Sequence, residues 1–108
     1  MMQLPAPIEA YFAADRGTDR ASLTSSFATD AVVKDERAVH AGHEEILAWR
    51  LSSSEKYADL VTEPIEQIVD GDGIIVRCKV SGDFPNSPVV LDFAFTLTDE
   101  KISLLEIH

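Results

Sequence analysis

Apolar positions recur every three or four residues through most of the first half of the chain and alternate through the second. Ile8, Tyr11 and Phe12 fall at i, i+3 and i+4, which predicts a helix over Pro7 to Asp15, with Pro7 in its first turn and Gly17 ending it. Thr18 or Asp19 then caps a second helix, on which Leu23 and Phe27 lie four apart. Val32 and Val33 mark a strand from Ala31 to Asp35, and Ala38 to Ala41 forms a short partner strand closed by Gly42. A third helix is predicted over His43 to Ser53, with Ile46, Trp49 and Ser53 along one face and serines at its fraying end.

The remainder reads as sheet. Tyr57 to Val69 carries alternating and β-branched residues, and Pro64 there implies an edge position or a bulge. Asp70-Gly71-Asp72-Gly73 is a hairpin turn. In Ile74 to Ser81, residues Ile74, Val76, Cys78 and Val80 share one face, and Ile75, Arg77, Lys79 and Ser81 the other. A proline-rich loop, GDFPNSP, spans Gly82 to Pro88. From Val89 to Thr98 alternation is strict, with Leu91, Phe93, Phe95 and Leu97 opposite Asp92, Ala94 and Thr96. Asp99-Glu100 turns the chain into a last strand, Ile102 to Ile107. Helices first and long antiparallel strands afterwards define an α+β domain spanning residues 1–108, without repeat or linker. Three short amphipathic helices on the concave side of a curled antiparallel sheet form a cone with a cavity between the two layers.

Composition narrows the partners. The 108 residues suit one core, and 45% hydrophobic with 26% charged residues is an ordinary globular mixture. Nine basic against 19 acidic residues leave a formal net charge of −10, which repels nucleic acid and anionic membranes and otherwise reads as an acidic solvated surface. No apolar run approaches the roughly 20 residues of a membrane helix. The first twelve residues lack a basic segment followed by an apolar one, so no signal peptide is expected. The single cysteine, Cys78, sits in an apolar run as a core residue and fits a reducing, cytoplasmic setting.

Few residues carry candidate chemistry. Asp35 ends its strand on the same side as Val33, which turns a carboxylate toward the predicted cavity. Above an apolar floor a carboxylate is poorly solvated and suited to removing a proton from carbon beside a carbonyl; otherwise it caps a turn in solvent. Tyr11 offers a phenol hydroxyl to a ligand oxygen, or is core aromatic. Trp49 is a pocket wall or core. His40 is placed to pair with Asp35, or lies at a strand edge. Arg77 binds an anion if inward and belongs to an outer sheet surface if outward; the core suitability of Val76 and Cys78 favours outward. No HxH or HExxH pattern is present, so neither a metal nor any other cofactor is expected. Nucleophile elbow, phosphate loop and dinucleotide fingerprint are all missing from the sequence.

The segments IEAYFAADRGTD, LTSSFATDAVVKDE, AGHEEILAW and VVLDFAFTLTDEKISLLEI, in that order and spacing, resemble the SnoaL-like proteins of the nuclear transport factor 2-like superfamily over essentially the whole chain. The resemblance implies the cystatin-like cone. It leaves activity open, because the superfamily includes isomerases, cyclases, dehydratases, epoxide hydrolases and binding proteins without chemistry. Similarity to ketosteroid isomerase implies Asp35 as general base and Tyr11 as oxyanion donor. The second, acidic oxyanion donor falls on Leu91 when Phe93 and Phe95 are aligned, and on Asp92 when Lys101 is aligned without a gap. Limonene epoxide hydrolase implies a further pattern, two aspartates around an arginine, with Arg77 as the arginine. Relatives commonly pair through their sheets, which implies a homodimer.

The expectation is a pocket for a small hydrophobic molecule, walled by Phe27, Val33, His40, Trp49, Leu91, Phe93 and Phe95. Asp35 and Tyr11 would perform cofactor-free isomerase- or cyclase-type acid–base chemistry. The alternative is a non-catalytic ligand-binding or interaction module of the same fold.

Overall fold

The computed structural model describes residues 4–16, 24–35, 37–56, 61–71 and 73–108. Helix α1 spans Ala6–Arg16, strand β1 Phe27–Asp35, β2 Ala38–Ala41, helix α2 Gly42–Lys56, β3 Val61–Asp70, β4 Gly73–Ser81, β5 Val89–Thr98 and β6 Lys101–Ile107. The six strands form one sheet in the order β2-β1-β6-β5-β4-β3.

Two expectations need correction. Among the described residues there are two such helices, not three. The predicted second helix falls largely on residues 17–23, outside the described residues, and Phe27 opens β1 instead of ending that helix. A spacing of four also returns to the same face of a strand, where Phe27 and Ala31 are both buried, so the four-residue step from Leu23 to Phe27 does not distinguish a helix from a strand. The register of β1 against β6 shifts between Phe27 and Val32. The sheet is also mixed and not wholly antiparallel, because β1 runs parallel to β6. A parallel pair requires a long crossover, and everything from β2 to β5 supplies it. Alternation along either strand is the same for both pairings, so the pattern carries no direction.

The other elements follow the local chemistry. Gly42 enters α2 with φ +84°, a left-handed geometry that glycine adopts without strain. Glu45 reaches back to accept the Ala41 N–H at 3.1 Å, which satisfies a free donor at the helix start. α2 continues through its serines to Lys56, beyond the predicted end. β3 lies at the sheet edge, and its register to β4 shifts between Pro64 and Glu66, as a proline in a strand demands. The predicted start of β3 at Tyr57 falls on residues 57–60, outside the described residues.

Both helices contribute to one core on one face of the sheet. Ile8, Tyr11 and Phe12 of α1 and Ile46 and Trp49 of α2 are buried against Val33, Val76, Cys78, Phe93, Phe95, Ile102 and Leu105. Tyr11 meets Phe27 at 5.9 Å and Phe95 at 5.6 Å between ring centroids, both edge-to-face. Phe12 meets Phe95 in the same way at 5.9 Å. Cys78 is buried and in no disulfide, as its apolar run predicted. Among the described residues no helix is long and apolar enough to cross a membrane.

Candidate functional site

β1 ends at Asp35, and Arg37 reverses the chain with φ 67° so that β2 returns alongside. Ala38 then lies opposite Asp35 and His40 opposite Val33. Strand alternation sets Val33, Asp35 and His40 on the helix-facing side, where Val33 is fully buried and Asp35 and His40 are half-buried. α2 packs across these two strands. It brings Trp49, only 8% exposed, over Asp35. The Trp49 indole Nε1–H donates to Asp35 Oδ2 at 2.9 Å. The His40 ring lies 6.1 Å from the Trp49 ring, tilted by 35°. Asp35, His40 and Trp49, separated by up to 14 residues in sequence, therefore converge at one end of the sheet.

The remaining expected wall residues occupy the same face. Phe95 lies opposite Ile74 and Leu105, Phe93 opposite Val76 and Ile107, and Leu91 opposite Cys78. Phe93 and Phe95 are buried in the core, and Leu91 packs against it while half-exposed. Tyr11 sits with its ring inside the aromatic cluster of Phe12, Phe27, Phe93 and Phe95.

Asp92 and Arg77 point away from this face. They are cross-strand partners, and Arg77 Nε donates to Asp92 Oδ1 at 3.0 Å while Arg77 Nη1 approaches Glu66 Oε2 at 3.4 Å. The hydrogen bond that Arg77 donates to Asp92, then the charges of Asp92 and Glu66, raise the Arg77 pKa above its usual value, so the guanidinium stays charged. Neither residue can serve a helix-side pocket as second acid or anion-binding arginine.

One inward polar residue had no place in the sequence reading. Gln67 lies opposite Val76, and its Oε1 is buried without a hydrogen-bond partner. The hairpin turn does encode this position. Asp70 pairs with Gly73, so stepping back three residues sets Gln67 against Val76 and on the core face.

Two clefts lie at the opposite end of β1. The larger, about 570 Å³, is lined by residues that include Phe27, Asp30, His43, Asp99 and Lys101. Here His43 Nε2 donates to the Phe27 carbonyl at 2.9 Å and Lys101 Nζ to the Ser25 carbonyl at 2.6 Å. The smaller, about 480 Å³, lies between the start of α1 and the β5–β6 turn. Of the expected wall residues only Phe27 borders either cleft. No group of three or more potential metal ligands occurs among the described residues.

Helices on one face of a mixed sheet, with a strand-end carboxylate held on that face, define a small α+β domain of the nuclear transport factor 2-like, ketosteroid isomerase-like class. Within it, the chain belongs to the SnoaL-like domain family, whose model matches residues 8–104. It is similar to SMa1630 of Sinorhizobium meliloti, a candidate polyketide cyclase, with 47% identity over 97% of this chain and 95% of that one and a TM-score of 0.93. A protein from Catenulispora acidiphila with a ketosteroid isomerase-like fold, crystallised with trimethylamine, is 20% identical over 98% and 86% of the two chains, with a TM-score of 0.83. A cystatin-fold protein from Novosphingobium aromaticivorans is 17% identical over 100% and 99%, with a TM-score of 0.81. The last two similarities concern the fold. No protein of curated function matches the chain.

Proposed function

We propose that this protein binds a small, largely apolar molecule on the helix-facing side of its sheet and acts on it by cofactor-free acid–base chemistry of the polyketide cyclase or isomerase type. Asp35 is the base in this reading. The observation that carries it is the hydrogen bond from Trp49 Nε1 to Asp35 Oδ2. A carboxylate held by a buried indole has a fixed orientation, which proton abstraction requires. His40 adds a second polar ring to this end of the sheet, 6.1 Å from the Trp49 ring. The similarity to a candidate polyketide cyclase supports a fused-ring or polyketone substrate.

Trp49 is the only tryptophan, so its emission reports directly on this site. Titration with alizarin, a dihydroxyanthraquinone, is expected to quench Trp49 with saturation, and Asp35→Asn to alter the amplitude. Linear, non-saturating quenching in both proteins would remove the pocket.

The second reading is a binding module without turnover. It is favoured by the close packing of Tyr11, Phe12, Phe93 and Phe95, which fills the space under α1 and confines Tyr11 to the core. Saturable quenching combined with no Asp35-dependent catalysis would select it.

The same reading includes a homodimer paired through the outward sheet face. That face carries exposed Val61, Ile68 and Val90, at 53%, 37% and 57% exposure. Sedimentation velocity at micromolar concentration is expected to show two chains, and Val90→Glu to shift the distribution toward one. A monomer in the wild type would refute the pairing.

A further inference from the structure

The connection between β4 and β5 is longer than antiparallel neighbours require. Two residues can join such a pair. β5 and β6 are joined in this way, with Thr98 paired to Lys101, and so are β3 and β4, with Asp70 paired to Gly73. Between β4 and β5 stand the seven residues Gly82 to Pro88. β1 runs parallel to β6, and β6 antiparallel to β5, so the end of β1, the end of β6 and the start of β5 lie at one edge of the sheet. The long loop therefore stands at the Asp35 end, and the two tight turns at the other. The loop is braced from within. Ser87 Oγ accepts the Gly82 N–H at 3.0 Å, and the Phe84 carbonyl accepts the Ser87 N–H at 3.3 Å. Pro85, followed by Asn86 with φ 66°, gives Phe84 to Ser87 the form of a type II turn. Asp83, Pro85 and Asn86 are exposed, whereas Phe84 is half-buried and packs against the core. The loop thus returns one aromatic side chain to the helix-facing side.

Between that ring and Asp35 lies an apolar strip that solvent reaches. Val89 is opposite buried Val80, Leu91 opposite buried Cys78, and Ile107 opposite buried Phe93, so all three face inward. Each packs against the core and yet is half-exposed. Lys34 lies beside Glu106, and one further step along the same register sets Asp35 beside Ile107. β1 and β5 are two strand spacings apart, about 10 Å between backbones. A flat apolar molecule with one end at Asp35 would cross Ile107 and Leu91 and reach the Gly82 to Pro88 loop. We infer that Phe84 is a specificity-determining residue of this site, whose ring contacts the far ring of a fused-ring ligand and so reads the ligand's length. A ring carried on a braced turn is positioned before the ligand arrives, and little ordering is needed on binding. The inference rests on the proposed helix-side pocket and adds the size class of its ligand, three fused rings rather than two.

Alizarin, with three fused rings, and dihydroxynaphthalene, with two, are compared as quenchers of Trp49 in the wild type, Phe84→Ala and Phe84→Leu. Phe84→Ala is expected to lose roughly tenfold in alizarin affinity, the contribution of one aromatic pair, with dihydroxynaphthalene affinity unchanged. Phe84→Leu keeps an apolar side chain and should show a smaller loss, again for alizarin alone. Thermal midpoints establish that each variant is folded, and if Phe84→Ala is not, Phe84→Leu carries the comparison by the same criterion. An equal loss for both probes makes Phe84 a structural support of the loop and overturns its role in reading length. Unchanged affinity for both probes in both variants also overturns it, while leaving the pocket standing. If neither probe binds the wild type, the pocket reading fails and takes the Phe84 inference with it.

Discussion

Phe95→Ala will destabilise the fold by about 3–5 kcal/mol, the usual range for removing a buried phenylalanine side chain. Phe95 is 1% exposed and lies at the meeting point of both layers. Its ring touches Tyr11 and Phe12 from α1 and Phe93 from its own strand. Ile74 and Leu105 flank it across the sheet. Edge-to-face partners on α1 each add about 0.5–1.5 kcal/mol beyond area burial, and truncation loses both while opening a cavity that α1 alone cannot fill. Total stability of a domain this size is about 5–15 kcal/mol, so the variant will unfold at a midpoint lower by about 15–25 °C. Val39→Ala, at an exposed position on the edge strand β2, should shift stability by less than about 0.5 kcal/mol. Thermal or urea unfolding of the two variants checks the contrast, and equal losses would show that the aromatic cluster is not the centre of the fold.

That cluster explains which parts of the structure were legible in the sequence. Strict alternation over Val89–Thr98 announced a strand with Phe93 and Phe95 on one face, because period two has a single geometric meaning when it is long. The hairpin at Asp70–Gly73 fixed the register of β3 against β4, and Pro64 marked the edge. Phe27 was illegible for the opposite reason. A step of four keeps two residues on one face of a strand as well as of a helix, so the pair Leu23 and Phe27 fitted both, and Phe27 belongs to the strand. The parallel pairing of β1 with β6 was hidden because direction leaves no trace in alternation. At the site, Asp35 was readable from its position after Val33. The indole that holds it comes from α2, 14 residues away, and that contact depends on how the helix crosses β1. Leu91 and Asp92 separated once the register was known, since Asp92 is held outward by Arg77. Gln67 could have been located by counting back from the turn, but an isolated glutamine carries no pattern of its own.

Asp35→Asn will lower proton abstraction from carbon by about a hundred- to ten-thousandfold, the usual contribution of a positioned general base. A test substrate need not be the natural one. Nitrobenzisoxazole loses one proton from ring carbon to a base, its N–O bond breaks, and the electron pair is released as a coloured phenolate. Asp35 would take that proton while Trp49 keeps its carboxylate oriented. Asparagine is the informative replacement, because its amide oxygen can still accept from the Trp49 indole while the carboxylate's basicity is removed. The folded state should therefore be retained, with a midpoint equal to or above that of wild type, since an inward carboxylate is commonly kept at the expense of stability. Asp92→Asn supplies the contrast. Asp92 faces outward in an ion pair with Arg77 and should leave the rate unchanged. Equal rates for wild type and Asp35→Asn, both above buffer, would assign the proton transfer to another group, with His40 beside Trp49 the next candidate. No turnover above buffer in the wild type would favour the binding module, because the generic probe asks only for an accessible, oriented base and an apolar surface on which a small aromatic ring can rest.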